Sequence, residues 1–391
     1  MHKGESTVRI SIFIKAYPPG DGRPRNGFEK AVRGLAHGMA IAGHQVTILT
    51  EGPEDAVFAS ERGYTIRWFA NTGAHPYVTL APGLAHHIRD RLHAETDLVV
   101  LNGLFNPGVF LVARQLVRHQ IPYIFAPHSI YNAAMLLKNP HLKLPYWVFA
   151  EKAILAKALG IHVESDLEKQ WLRRLGIRTP VVITENGYEA DEVPPEEALA
   201  WSDSGPPKLL FFGRLAQWIK GLDILTKAFA EARSACEMKL VLQGPDEGAG
   251  PKVAALAKRL GVSQDVMLRA PDTTQPGALV IAAHDIFCLT SRVEGFSMAV
   301  IEALLAGRVL LVSERVAQAP YVKANNCGVV VKPTVSDVRD GLLELLRRRA
   351  EWRDMGMTGR RFALEYLPWP AVAERLVRQY QALLSGIPLS E

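Results

Sequence analysis

The sequence predicts an α/β protein of two Rossmann-like, doubly wound domains facing a central cleft. Three observations lead there. The chain has 391 residues, and chains beyond about 250–300 residues split into two cores. Short apolar runs alternate with amphipathic segments along both halves, the pattern of βαβ units around a parallel sheet. Between the halves lies an acidic stretch, residues 189–207, holding Pro194, Pro195, Pro206 and Pro207. Such composition predicts an exposed connection between domains.

Taken in order, residues 8–15 (VRISIFIK) read as a buried strand rich in β-branched side chains. A loop with Pro18, Pro19, Gly20 and Gly22 follows. Asn26 is placed to cap a helix over 27–42, whose apolar face carries Val32, Leu35, Met39 and Ile41. Gly43 closes it and a second strand begins at Val46. Further strands are expected at 65–69, 98–101, 123–126, 160–163 and 181–184. After the acidic stretch, strands are expected at 208–212, 239–243, 266–269, 285–290 and 309–313. Helices are expected at 221–234, 251–260 and about 297–306. The domains are expected to run 1–188 and 189–369, with a C-terminal helix, about 370–391, completing the first. Ligands of such sheets sit beyond the carboxyl ends of the strands.

Composition narrows the function. Hydrophobic residues make up 48% and charged residues 22%, ordinary for a globular enzyme. A formal charge of +5, from 45 basic and 40 acidic residues, gives no basic stripe, so no nucleic-acid partner is expected. Cys236, Cys288 and Cys327 are odd in number and widely spaced, which argues against a disulfide framework or a zinc site. Residues 1–9 are polar, and no run of about 18 apolar residues occurs. A cytoplasmic protein without a spanning helix is expected, with peripheral contact at the inner face of the membrane as the remaining option. The segment 131–158 bears on that option. It mixes Lys138, Lys143, Lys152 and Lys157 with Leu136, Leu137, Tyr146, Trp147 and Phe149. It reads either as an interfacial patch or as an amphipathic core helix with a solvated lysine face.

The strongest local signal is 291–307, SRVEGFSMAVIEALLAG. Glu294 stands between a strand end and a helix N-terminus, where free N–H groups and a positive dipole end suit a diphosphate. Taken alone, Glu294 also reads as a helix-favouring acid. Glu302 lies about two turns on, inside an apolar run. Burying a carboxylate without a partner costs several kcal/mol, so Glu302 is expected to meet hydroxyls or a cation. A second signal is 211–221, FFGRLAQWIKG, where Gly213 ends a strand and Arg214 and Lys220 precede a helix. Preorganised cations there would stabilise a departing diphosphate; alone, they also read as solvated loop charges. A third is Ala126-Pro127-His128-Ser129, at a strand end of the first half.

These motifs, in this order, resemble the GT-B glycosyltransferases, in particular the retaining enzymes of family 4. The family's E-x7-E motif stands here as Glu294-Gly295-Phe296-Ser297 through Ile301-Glu302-Ala303, its GRL…KG as Gly213–Gly221, and its PHS element as His128-Ser129. Weaker matches are Asn26-Gly27, Asp97–Gly103, Ser165, 183–187, Gln243-Gly244-Pro245 and Trp369. The resemblance implies hexose transfer with retention. Arg214 and Lys220 would neutralise the leaving diphosphate. Glu294 would hold the sugar with the backbone N–H groups of Phe296 and Ser297, and Glu302 the ribose. Gly213, Gly244, Arg269, Gly295 and Met298 would complete the donor site, while His128, Asn26 and Gly27 would line the acceptor side. No DxD pair accompanies the motif, so no metal or other cofactor is expected. UDP-glucose or another UDP-hexose is the expected donor, GDP-mannose next. The expected acceptor is a saccharide or a lipid-linked acceptor, in surface or extracellular polysaccharide assembly. A GT-B sugar-nucleotide epimerase and a non-enzymatic nucleotide-sugar-binding scaffold are the alternatives.

Overall fold

A computed structural model of the chain describes residues 7–22, 26–73, 75–128, 131, 139–201, 204–272 and 274–388. The chain forms two compact units, Met1–Gly187 with Trp369–Glu391, and Tyr188–Pro368.

The first unit carries an eight-stranded sheet of order β3-β4-β2-β1-β5-β6-β7-β8. Its strands are β1 (Arg9–Phe13), β2 (Gln45–Gly52), β3 (Ala56–Ala59), β4 (Thr65–Ala70), β5 (Leu98–Asn102), β6 (Tyr123–Ala126), β7 (Gly160–Val163) and β8 (Val181–Ile183). All neighbours pair in parallel except β3 with β4. Strands β5, β6 and β7 are buried along their whole length, as expected where helices cover both faces of a parallel sheet. Asn26 caps the first helix, Gly27–Ile41, by accepting from the Glu29 N–H at 2.9 Å. That helix carries Gly34 and Gly38 where the returning helix Trp369–Leu384 crosses it. A Cβ on Gly34 would lie 1.9 Å from Trp369 Nε1. Two glycines thus let the C-terminal helix lie against the first.

The second unit is a six-stranded parallel sheet of order β11-β10-β9-β12-β13-β14. The strands are β9 (Lys208–Phe212), β10 (Lys239–Gln243), β11 (Val266–Arg269), β12 (Ile286–Leu289), β13 (Val309–Ser313) and β14 (Gly328–Val331). In both sheets the first strand has its successor on one side and a later crossover on the other, the strand-order reversal beside which ligands of this fold bind.

The structure departs from the sequence reading in three places. Strand β3 forms an antiparallel edge and β14 an additional parallel one, neither of which was expected. The acidic stretch 189–207 is not a free connection. Arg360 donates to Pro194 O at 2.7 Å and Arg308 to Ala200 O at 3.1 Å, while Leu199 is buried in the second unit's core. Arg308 itself is fully buried, with its guanidinium 4.3 Å above the Trp201 ring. Finally, the expected C-terminal helix, about 370–391, runs Trp369–Leu384, set off from the preceding helix that ends at Tyr366.

Candidate active site

In the second unit the loops after β9, β10 and β12 converge. Gly213 leaves β9 at φ 146° and Gly244 leaves β10 at φ 148°. A Cβ on Gly244 would stand 2.0 Å from Gly213 O. The strand ends therefore touch, which no larger residue at 244 permits. The Gly213 N–H donates to Gln243 O at 2.9 Å.

The next contact brings the two main motifs together. A short helix, Gln217–Lys220, ends at Gly221, φ 66°. A Cβ on Gly221 would fall 2.2 Å from Thr290 O, and Thr290 Oγ1 donates to Gly221 O at 3.2 Å. Gly221 thus pins that turn to the end of β12. Lys220 Nζ consequently reaches Glu294, 74 residues on, donating to Oε1 at 2.9 Å and Oε2 at 2.6 Å. Ser291 Oγ donates to Glu294 Oε2 at 2.8 Å. Both members of the pair are nearly buried, their side chains 12% and 13% exposed.

Around this pair the other expected residues fall differently. Glu302 is buried on the helix Met298–Leu305, and its carboxylate lies over Gly277, where a Cβ would come within 2.7 Å of it. Gly277 is a residue that the sequence reading missed; its only signal is a Pro-Gly at a helix start. Phe296 is buried against Tyr321, ring centroids 6.2 Å apart, so its side chain belongs to the core. The expected role of the Ser297 N–H is corrected: it donates to Gln318 Oε1 at 3.1 Å, while Gln318 Nε2 returns a bond to Ser297 O at 2.8 Å. Gln318 locks the backbone before the helix, and nothing in the motif pointed to it. Gly295 and Met298 flank this turn and are half-buried. Arg214 is exposed and paired with Glu247 at 2.6 Å. Arg269 is exposed at the end of β11, and its carbonyl accepts the Gly244 N–H at 3.1 Å.

The first unit holds a second cluster at its own strand ends. His128 follows β6 with φ 51°, a left-handed backbone uncommon outside glycine. Asn102, the last residue of β5, donates from Nδ2 to Phe13 O and Val100 O, both at 3.1 Å. Its Oδ1 therefore accepts, and His128 Nε2 at 2.7 Å carries the proton. His128 Nδ1 lies 3.3 Å from Glu164 Oε1, after β7. Behind Glu164, Glu168 is buried and pushed up to about 8, first by burial and then by the Glu164 charge. His162 is held down to about 4 by burial and by His128. The Phe28 ring stands edge-on to His128 at 4.9 Å, which brings the helix start at Asn26 and Gly27 to this cluster. Ser129 lies outside the described residues, as do Leu136, Leu137 and Lys138.

Comparison with known proteins places this geometry in a wider set. Residues 200–362 match the model of the family "Glycosyl transferases group 1". Residues 26–187 match that of the "Glycosyl transferase 4-like domain". An MMP α-(1→4)-mannosyltransferase of Mycolicibacterium hassiacum is 29% identical over 171 residues, 43% of this chain and 41% of that protein. The chain thus aligns with less than half the length of this relative. Among solved structures, a sucrose-phosphate synthase from Thermosynechococcus elongatus matches with a TM-score of 0.74 at 20% identity, covering 96% of this chain and 99% of the other. Anabaena Alr3699/HepE in complex with UDP-glucose matches with a TM-score of 0.70 at 15% identity, covering 96% and 100%.

Proposed function

The chain belongs to the GT-B glycosyltransferases, with a group 1 second domain and a family 4-like first domain, and from this premise we propose that it transfers a hexose from a nucleotide sugar with retention of configuration. The observation that carries the reading is the Lys220–Glu294 pair, 2.6 Å apart and nearly buried at the mouth of β9 and β12. A buried ion pair is weak support for stability, and this one sits where the fold binds ligands. On donor binding the diphosphate takes Lys220 from Glu294, and Glu294 turns its oxygens to the hexose hydroxyls. Each charge exchanges one partner for another, so neither is left unpaired.

Arg214 adds a second cation to the diphosphate after leaving Glu247, and Glu302 receives the ribose hydroxyls. Gly213, Gly244, Gly295 and Met298 frame the donor, and the base meets the backbone near Arg269. In the transfer step the bond from the anomeric carbon to the diphosphate oxygen breaks. The acceptor oxygen bonds to the same face of that carbon, and its proton passes to the departing phosphate. In the first unit His128, with Asn26 and Gly27 brought to it through Phe28, is assigned to the acceptor side. The cations at Lys220 and Arg214 take the role that a metal plays elsewhere, so the reaction proceeds without one.

The favoured donor is a UDP-hexose, supported by the UDP-glucose complex of the Anabaena neighbour. GDP-mannose is the second, supported by the mannosyltransferase relative. The acceptor in this reading is a saccharide or a lipid-linked acceptor of polysaccharide assembly on the cytoplasmic side of the membrane. Incubation with UDP-glucose, other UDP-hexoses and GDP-mannose, following nucleoside diphosphate release with and without EDTA, tests the reading. Release that survives chelation is expected. Absence of both binding and release with every donor rejects the enzyme in favour of a scaffold, and loss on chelation rejects metal independence. Arg214→Ala is expected to leave the thermal midpoint unchanged, because exposed pairs contribute about 0–1 kcal/mol, while lowering turnover; unchanged turnover removes Arg214 from the site.

A further inference from the structure

On the segments between β5 and β7 the first unit presents a surface that neither cluster uses. The helix Pro140–Tyr146 buries none of its residues. Leu142 is 64% exposed, Val148 58% and Phe149 82%, with Leu144 beside them and Val117 exposed on the helix Pro107–Arg118. Ring contacts tie the two helices into one face: Phe110 meets Tyr146 at 6.5 Å, and Lys143 Nζ lies 5.2 Å over Phe105. A groove of about 250 Å³ continues the face between Pro107–Arg118 and the helix Lys152–Lys157, with Arg114, Arg118 and Lys157 along it.

The charge on this face has one sign. Arg114, Arg118, Lys152 and Lys157 are exposed. The segment 107–118 contains no acid, and 139–157 contains only Glu151. Glu151 is buried, accepting from Tyr131 Oη at 2.6 Å and the Phe105 N–H at 3.1 Å. A single-copy polar environment leaves Phe149 and Val148 in water. A second copy of the chain would cover them but would set four like charges against four. An anionic lipid surface receives both components, the apolar side chains at the headgroup boundary and the cations among the headgroups.

We propose that this face, centred on Phe149 and bordered by Arg114, Arg118, Lys152 and Lys157, docks the protein peripherally on an anionic bilayer. No helix of the described residues is long and apolar enough to cross a membrane, so the contact is interfacial. Neither component suffices alone, because stable peripheral attachment takes two signals. The cations bring the protein to the surface and weaken with salt; the apolar side chains hold it there.

Co-sedimentation of the full chain with vesicles tests this independently of any transferase activity. Vesicles of phosphatidylglycerol and phosphatidylcholine in equal parts are compared with phosphatidylcholine alone, in low and high salt. Binding to the anionic vesicles at least tenfold above the neutral ones, weakened by salt, is expected. The double variants Val148→Ser/Phe149→Ser and Lys152→Glu/Lys157→Glu should each lower it about tenfold or more. All four side chains are exposed, so thermal midpoints should not move. Equal binding to neutral vesicles, no binding, or full binding by both variants overturns the proposal. So does a concentration-dependent dimer that Val148→Ser/Phe149→Ser abolishes while vesicle binding persists.

Discussion

At the end of β12, Lys220 and Glu294 meet at 2.6 Å and neutralise each other, with Ser291 completing the carboxylate. At the ends of β5 to β7, His128 stands between Asn102 and Glu164, and Glu168 behind them retains its proton up to about pH 8. Both clusters sit at strand ends in nearly buried surroundings. One manages burial by pairing opposite charges, the other by holding a buried acid, Glu168, and a buried imidazole, His162, toward their neutral forms. The second unit is therefore sensitive to the loss of a partner, and the first to pH.

The largest expected effect breaks the first half of this contrast. Glu294→Ala should lower kcat/KM by roughly 10²–10³, the scale for removing one preorganised polar group from an active site. It also leaves Lys220 nearly buried without its partner, which should cost about 1–3 kcal/mol of stability. Nucleoside diphosphate release and thermal denaturation measure the two separately. A variant with full turnover would detach the pair from function, and one with full stability would show that Lys220 finds another acceptor. Lys220→Met should also lose turnover, leaving the carboxylate orphaned instead.

A second, smaller effect tests what assembles the pair. Gly221→Ala places a methyl 2.2 Å from Thr290 O at φ 66°. The loop must move, at about 1–3 kcal/mol, and Lys220 with it. Reduced donor turnover together with a lower thermal midpoint is expected. A normal midpoint with normal turnover would show that the turn tolerates a side chain and does not set the pair.

The fold was legible because buried parallel strands read as continuous apolar runs, and β1, β5, β6, β9, β10 and β13 are of that kind. Strand β3, AVFA with exposed Val57 and a half-buried Phe58, is a short edge whose pattern carries little burial signal. The acidic stretch misled for another reason. Its composition describes its own side chains, whereas Arg308 and Arg360 bond its carbonyls from far along the chain. The site was legible as residue types. Glu294, Lys220, Arg214 and His128 stood out by charge at strand ends, and Asn26 by its capping position. Their partners did not. The Lys220–Glu294 distance follows from the close approach of Gly221 to Thr290, and the Ser297 lock depends on Gln318, 21 residues away. Neither leaves a periodic trace in the sequence. Gly277 beneath Glu302 is similar, a vacancy for a carboxylate that a sequence shows only as one more glycine.

The smallest effect addresses the second half of the contrast. Glu168 has its folded value raised to about 8 from an ordinary 4.5, so between those limits the native state holds a proton that the unfolded chain releases. Its stabilising contribution is complete below about pH 4.5 and is lost as pH rises toward 8. His162 acts in the opposite sense. Its folded value is lowered to about 4 from 6.5, so between those limits the unfolded chain holds the extra proton and stability rises with pH. From pH 4.5 to 6.5 the two slopes oppose and largely cancel. From 6.5 to 8 only Glu168 acts, and stability should fall by about 1.5 kcal/mol, the slope easing from 1.36 kcal/mol per pH unit to half that at 8. Thermal denaturation across this range is the measurement. Glu168→Gln keeps the shape and an acceptor for Ser165 Oγ, which donates to it at 3.1 Å, but cannot titrate. It should flatten the upper window and leave a rising slope between pH 4 and 6.5. An unchanged upper slope in that variant would mean that Glu168 is ionised in the folded protein, and that the first unit's cluster is held by charge pairing, as the second unit's is.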